Sequence, residues 1–377
     1  MTSGIVRVRT TRVESWDSVP DLGEAWDDLL DRSPNCSVFQ TFPWHVCWWK
    51  AFGAPHDLLL ILAHAGSDLV GIAPMMITRD ETPHGRVRKR ACFIGSPNHA
   101  SDYCDFIVDP EVPEALGALV DEVFAASSQC DRLELSHFPG HSPNRVRILE
   151  HLGNRRAKTA VEFEADAPVR ILGDTEADLK ASNKASLKRH TNYFKKAGDL
   201  RFHQCGSEAE ILSYLDQFFE QHKTRRERTD SPSQFLDPVQ RSFYRDLVRD
   251  VFPHGWLRFH VVLFNGMPLA FHFGFEYRKR FIWYKPTFDV QYTPRSPGEV
   301  LIKFLLEDAI RKGLEEFDFT VGSESFKYRF SNRTRINYRL TVFRSAADYW
   351  VYRGKSLLKK LLKRELLSRG GAVSPQE

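Results

Sequence analysis

Arg295, Ser296 and Gly298 stand immediately before Glu299-Val300-Leu301-Ile302-Lys303-Phe304-Leu305-Leu306, an apolar run at helical spacing that continues through Ala309 and Ile310. Residues of these types at a helix start are suited to holding a phosphate. Ser296 is of N-cap type, and Pro297 takes the first helical position, where its missing N–H costs nothing. The first-turn amides, through Glu299 and Val300, join the helix dipole and the Arg295 guanidinium in favouring a phosphate or pyrophosphate. A plain helix N-terminus carries the same residues, so the loop alone leaves both readings open. Beyond the helix comes a second polar cluster, Glu324-Ser325-Phe326-Lys327-Tyr328-Arg329-Phe330. Upstream, Lys180, Lys184, Lys188, Arg189, Lys195 and Lys196 form a basic run on an expected helix. Such an arm suits the steering of a phosphate-bearing ligand, and is more commonly a solvated helix face.

The elements that must position these groups fall into two lobes. Residues 1–170 predict an opening strand, helices over 16–30 and 42–52, and strands over 58–63 and 69–76 joined at Gly66-Ser67-Asp68. A polar loop over 78–88, a strand over 91–95, a helix over 112–126 and strands over 133–137 and near 161–164 complete that lobe. A basic connecting helix spans 171–200. Residues 201–348 predict a helix over 208–222 and three hairpin strands over 256–264, 268–276 and 281–287, the first pair turning at Asn265-Gly266. Strands over 316–321 and 338–344 give this lobe a sheet of five or six strands. The fold class is α/β (α+β), with mixed central sheets flanked by helices and a first lobe that lacks a phosphate loop.

The order strand, RxxGxV loop, helix, aromatic strand and short Lys/Tyr segment resembles the acyl-CoA half of the GNAT N-acyltransferases. The stretch Ser296 to Phe330 is most similar to bacterial CelD/BcsL-type (cellulose-biosynthesis) acetyltransferases, themselves related to FemAB-type peptidyltransferases. Other short motifs recur in the same order: Val38-Phe39-Gln40-Thr41-Phe42-Pro43-Trp44 with Trp48-Trp49, Phe93-Ile94-Gly95, and Asp102-Tyr103-Cys104-Asp105. Phe218-Phe219-Glu220-Gln221-His222 with Arg225-Arg226, and Met267-Pro268-Leu269-Ala270, extend the resemblance over residues 36–345.

That resemblance implies two GNAT-like lobes, the first degenerate, and an N-acyltransferase without a metal. Its donor is acetyl-CoA or a longer acyl-CoA, and its acceptor a small-molecule amine such as an amino sugar of polysaccharide or envelope metabolism. Transfer from a thioester to an amine needs the carbonyl polarised, the amine deprotonated and the thiolate stabilised. In the GNAT fold the strand before the phosphate loop, here 281–287, splays open and offers a backbone N–H to the thioester oxygen. His222 is the family-matched base position. Glu276 and His272, on one face of the second hairpin strand, are further candidates, with a buried structural histidine and an ion-paired carboxylate as their simpler readings. Relatives show Tyr-Lys where this chain has Phe326-Lys327, so Tyr328 in another register, or Lys327 with a water, is left to meet the thiolate. Asp318 and Glu324 match polar family positions and, with Lys184 and Lys188, are the substrate-binding candidates. Acceptor choice falls to the loops over 78–88 and 229–237. A FemAB-like transferase using aminoacyl-tRNA and a non-catalytic polysaccharide-synthase accessory protein are the alternatives.

Bulk properties suit an enzyme of the cytoplasm. The chain has 377 residues, 42% hydrophobic and 27% charged, and a net charge of +4 that by itself is too mild to imply nucleic acid. Six scattered cysteines without a CxxC pair read as free thiols rather than a zinc site or a disulfide framework. The chain lacks a Gly-rich dinucleotide fingerprint, a Gly-Lys-Ser/Thr loop and a GxSxG elbow, which removes nucleotide and serine hydrolysis. The first residues have no signal-peptide core and no run is long enough to span a membrane. Residues 349–377 hold a basic amphipathic helix, over 355–367, which either packs its leucines on its own domain or lies against the inner membrane or an envelope synthase.

Overall fold

The computed structural model describes residues 7–369 apart from 35, 82–84, 86, 99, 228 and 230, with side chains to residue 358. Parts of both expected acceptor loops, and the side chains of 359–367 in the basic helix, thus lie outside the described residues. In the first lobe β1 (Val8–Val13), β2 (Asp57–Ala65), β3 (Asp68–Glu81) and β4 (Val87–Phe93) pair antiparallel in sequence order. β5 (Ile107–Val108) pairs β3, and β6 (Arg132–Pro139) runs parallel to β4. Helices α1 (Leu22–Arg32), α2 (Phe42–Phe52), α3 (Glu114–Ala126) and α4 (Pro143–Asn154) accompany them, and β7 (Lys158–Ile171) ends the lobe. The second lobe follows the same plan. After α5 (Thr175–Ser182) and α6 (Ala185–Ala197) come β8 (Leu200–Gln204), α7 (Glu208–Arg226), α8 (Pro238–Val251), β9 (Leu257–Phe264), β10 (Met267–Tyr277) and β11 (Arg280–Phe288). Then α9 (Pro297–Arg311) leads to β12 (Glu316–Asp318), parallel to β11, and to α10 (Ser325–Phe330), β13 (Arg333–Phe343) and α11 (Ala346–Arg369).

Among the described residues thirteen strands form one sheet rather than a sheet per lobe, in the order β1-β2-β3-β4-β6-β13-β7-β12-β11-β10-β9-β8, with β5 beside β3. The cause is an exchange: β7 pairs β12 of the second lobe, β13 pairs β6 of the first, and β7 and β13 pair with each other from Arg333↔Val169 to Phe343↔Lys158. Two charge-assisted contacts hold this seam. Arg335 on β13 binds Glu316 on β12 through both guanidinium nitrogens at 2.7 and 2.6 Å, and Arg339 reaches Glu164 on β7 at 2.6 Å.

Local chemistry accounts for most elements. β2 carries an unbroken apolar run because both faces are covered, by Trp26, Leu29 and Leu30 of α1 on one side and Leu116, Leu119 and Val123 of α3 on the other. Asn265 and Gly266 take φ of 51° and 79°, the left-handed pair a tight β9–β10 hairpin requires. The first helix starts at Leu22 rather than 16, after Pro20, and the connecting segment is two helices broken at Asn183-Lys184. α4 and α8 were not anticipated, although each opens on a cap followed by proline: Ser142 accepts from the Asn144 amide and Asp237 from the Val239 amide. α8 packs on α2, so Trp44 lies edge-on to Phe243, Phe275 and Tyr284 in a core shared by both lobes.

Asp105 is enclosed in the first lobe, accepting from the Phe106 amide at 2.7 Å, Asn144 Nδ2 at 3.0 Å and the Ser142 hydroxyl. Burial pushes its carboxyl up to about 7, against the pull of these three donors. Folding therefore takes up a proton between the unfolded aspartate pKa and about 7, and stability falls as pH rises through that window. Asp105→Asn can keep all three contacts, so its stability-versus-pH curve is expected to be flatter, by roughly 4 kcal/mol at most between pH 4 and 8. Urea titrations of both proteins across that range would measure the difference. Among the described residues no helix is long and apolar enough to cross a membrane.

Candidate active site

β11 and β12 run together only from Arg280↔Glu316 to Ile282↔Asp318 and then part. At the same point β11 is bulged: Phe275 pairs Ile282 and Phe273 pairs Lys285, so Trp283 and Tyr284 together oppose Gly274 of β10. The remaining β11 edge, from Trp283 to Phe288, has no β12 partner and faces an opening. Gly274 makes the bulge possible, since a Cβ there would lie 2.4 Å from the Ile282 carbonyl oxygen and 2.1 Å from the His272 ring.

The chain after β12 turns sharply into this opening. Thr320 has φ 57°, donates its amide to Asp318 at 2.7 Å and its hydroxyl to the Trp283 carbonyl at 3.1 Å, bridging the two strands. The first lobe completes the wall. After β4 no phosphate loop is found among the described residues; residues 100–106 run across the seam instead. They place the Tyr103 hydroxyl on Asp318 at 2.8 Å and the Ala100 carbonyl on the Tyr284 hydroxyl at 2.7 Å, while Asn337 holds the Asp102 carbonyl at 2.8 Å.

Charges converge here. Burial raises the Asp102 carboxyl, opposed by Lys285, His137, Lys327 and the neighbouring Thr320 hydroxyl. Lys285 is partly accessible and its ammonium lies 4.3 Å over the Tyr284 ring, yet burial lowers it below the ordinary lysine range despite Asp102. Lys327 is 4% exposed, donates to the Val321 carbonyl at 2.7 Å and pairs with Glu324 at 3.1 Å. Arg225 donates to the Pro286 carbonyl at 2.8 Å and lies over Phe288, with burial and Arg226 lowering it to about 10.

At the start of α9 the arrangement differs from the sequence expectation in detail. Ser296 does not cap with its side chain: at φ 50° and ψ 59° it is left-handed, whereas a capping hydroxyl reaches the first turn from an extended backbone. Its carbonyl instead accepts the Glu299 and Val300 amides at 2.9 and 3.3 Å, so neither is free for a ligand. The Val300 side chain is core, and the Glu299 carboxylate is taken by Arg329 at 2.7 Å. Gly298 lies under Phe288, where a Cβ would meet the ring at 3.3 Å. Arg295 is exposed, stacked 4.2 Å over Tyr193 of α6. Lys184 bonds the Arg329 carbonyl and lies over Phe330, while Lys188 is exposed. The basic segment and the α9 start are thus neighbours.

Several candidates lie elsewhere or are already committed. His222 is buried, bonded to the Ser233 hydroxyl at 2.8 Å and packed edge-on to Phe235; burial, with Arg226, Arg225 and Lys285, lowers it to about 3. Glu276 pairs with Arg258 at 3.0 Å and Lys312 at 3.3 Å, at the end of β10 away from the opening. Burial pushes its carboxyl up, but these cations outweigh that and hold it low. His272 stacks between Phe281 and Trp283, lowered by burial to about 3. Asp318 is buried and accepts from Tyr103 and Thr320; its carboxyl is raised to about 6 by burial and Glu316. Tyr328 faces outward to Asp166, whose hydrogen bond raises the phenol pKa. Glu324 remains at the rim beside Lys327. Asp102, Tyr103, Lys285 and Arg225 were not among the candidates, though a lysine inside Phe281-Ile282-Trp283-Tyr284-Lys285 was a visible signal. Among the described residues one group has metal-ligand spacing, His203, Cys205 and Glu210, away on β8 and α7, and Glu210 is engaged by His203 and the Gly206 amide.

Residues 181–328, which contain the bulge, the opening and the α9 start, match the family described as Acetyltransferase (GNAT) domain. Over a longer span the chain is similar in structure to FemX, with a TM-score of 0.61 at 11% identity, covering 87% of this chain and 96% of that one. It is also similar to the C-terminal domain of a putative lysylphosphatidylglycerol synthetase from Agrobacterium fabrum, with a TM-score of 0.54, 13% identity and coverage of 89% and 95%. A conserved protein of unknown function from Bacteroides thetaiotaomicron gives 0.56, 12%, 89% and 100%. At these identities the likeness is one of fold. No curated protein matches the sequence.

Proposed function

We propose that the protein is a GNAT-type N-acyltransferase that moves an acyl group, acetyl by preference, from acyl-CoA to an amine. The observation that carries this is the bulged β11 parting from β12 directly before the α9 start. On this reading a backbone N–H of the splayed edge, from a residue other than Pro286, meets the thioester carbonyl, and Arg295 with the α6 cations meets the donor's phosphates. The acceptor nitrogen attacks the carbonyl carbon, its proton passes to Asp102, and the C–S bond breaks to release thiolate beside Lys285. A buried carboxylate with a raised pKa suits the role of base better than His222, whose imidazole is weakly basic. The resemblance to CelD/BcsL-type enzymes supports an amino sugar or related envelope amine as acceptor.

Titration calorimetry with acetyl-CoA and a longer acyl-CoA tests the donor. Arg295→Ala is expected to weaken binding about tenfold, the loss of one charge-assisted phosphate contact. Gly298→Val, pressed on Phe288, is expected to weaken it further without unfolding the protein. Failure of the parent protein to bind either donor would favour a second reading, an aminoacyl-tRNA donor, which the exposed Lys188, Arg189, Lys195 and Lys196 face of α6 supports.

A further inference from the structure

Among the described side chains, α11 meets the sheet through one side. Tyr349 and Tyr352 pack on Phe343 with ring centroids 5.7 and 4.9 Å apart, and the Tyr352 and Ser356 hydroxyls donate to Glu162. At 100° per residue these three share a side, and Trp350, Val351, Leu357 and Leu358 fall on the opposite one. Those four are 66%, 57%, 55% and 57% exposed. For Leu357 and Leu358 the expectation that the helix packs its leucines on its own domain is therefore overturned. Beside them β7 exposes Val161 and Phe163, and Val161, Phe163 and Val351 line a groove of about 760 Å³ that Arg88 and Lys355 also enter.

We propose that α11 and the adjoining face of β7 form a docking surface for an anionic lipid bilayer. The outward apolar stripe supplies the buried part of such a contact. Charge complementarity selects the partner: Arg353 and Lys355 flank the stripe, and the helix continues in sequence as Lys359-Lys360-Leu361-Leu362-Lys363-Arg364. Cations interspersed at this density keep the helix in the interfacial plane rather than across the membrane. The inference is independent of the acyl-transfer reading.

Flotation of the full chain with vesicles of phosphatidylcholine alone, and with 30% phosphatidylglycerol added, tests it. Binding to the anionic vesicles is expected to exceed binding to neutral ones at least tenfold and to fall with salt, since each cation near such a surface contributes about fivefold. Leu357→Glu with Leu358→Glu is expected to cut the anionic binding at least tenfold while leaving the melting temperature unchanged, because both side chains are exposed. No binding to anionic vesicles, equal binding to both compositions, or binding that survives the double substitution would overturn the proposal. So would self-association of the parent protein in gel filtration, abolished by the same pair, which would assign the stripe to a second copy of this chain.

Discussion

Asp102→Asn is expected to lower acyl transfer by about two to three orders of magnitude, the usual contribution of a positioned general base, while the protein keeps its fold and its affinity for acyl-CoA. The carboxyl is buried across the seam from Lys285, and its main-chain carbonyl is fixed by Asn337, so the amide fits the same space. The variant also leaves Lys285 without its facing carboxylate, so its melting temperature is measured beside its rate, and a loss of turnover in the folded protein separates chemistry from stability. The parent rate is expected to fall as pH drops through the raised pKa of Asp102, where the base becomes protonated, and the Asn variant is expected to lack that limb. A kcat within threefold of the parent would place the base elsewhere.

The second large effect concerns Gly274. Any side chain there meets the Ile282 carbonyl, a backbone atom that cannot rotate away, as well as the His272 ring. Gly274→Ala is expected to cost on the order of 2–3 kcal/mol in urea unfolding, the range of overpacked interiors. It also forces Trp283 and Tyr284 out of the bulge, so acyl-CoA binding is expected to fall in the folded fraction. Ala at Gly206, where nothing lies within 4 Å of the added methyl, is the matched control and should change neither.

Much of this was legible because it is local. The aromatic helix over 42–52, the Asn265-Gly266 hairpin and the α9 helix each rest on spacing and on one or two punctuating residues, and each is where the sequence places it. What was not legible depends on partners far away in the chain. Nothing near residue 333 says that β13 will lie between β6 and β7, since its alternation fits either lobe. Ser296 has the composition of a cap, but the preceding 3-10 turn of residues 290–295 delivers it left-handed. His222 and Glu276 have the right chemistry in the wrong company, a Phe235 ring in one case and two cations in the other. Asp102 and Lys285 were readable only as residue types, because what joins them is the crossing of residues 100–106 from one lobe to the other.

The exchanged strands also set the order in which the chain can be finished. β6 and β13 pair although roughly two hundred residues separate them. Until β13 leaves the ribosome the nascent first lobe holds β6 and β7 apart with unsatisfied edges, a state open to pairing with other chains. Contacts of such long sequence separation slow folding. Native pairing of β6 thus waits on the synthesis of β13, and a cut at residue 170 yields two incomplete sheets rather than two domains.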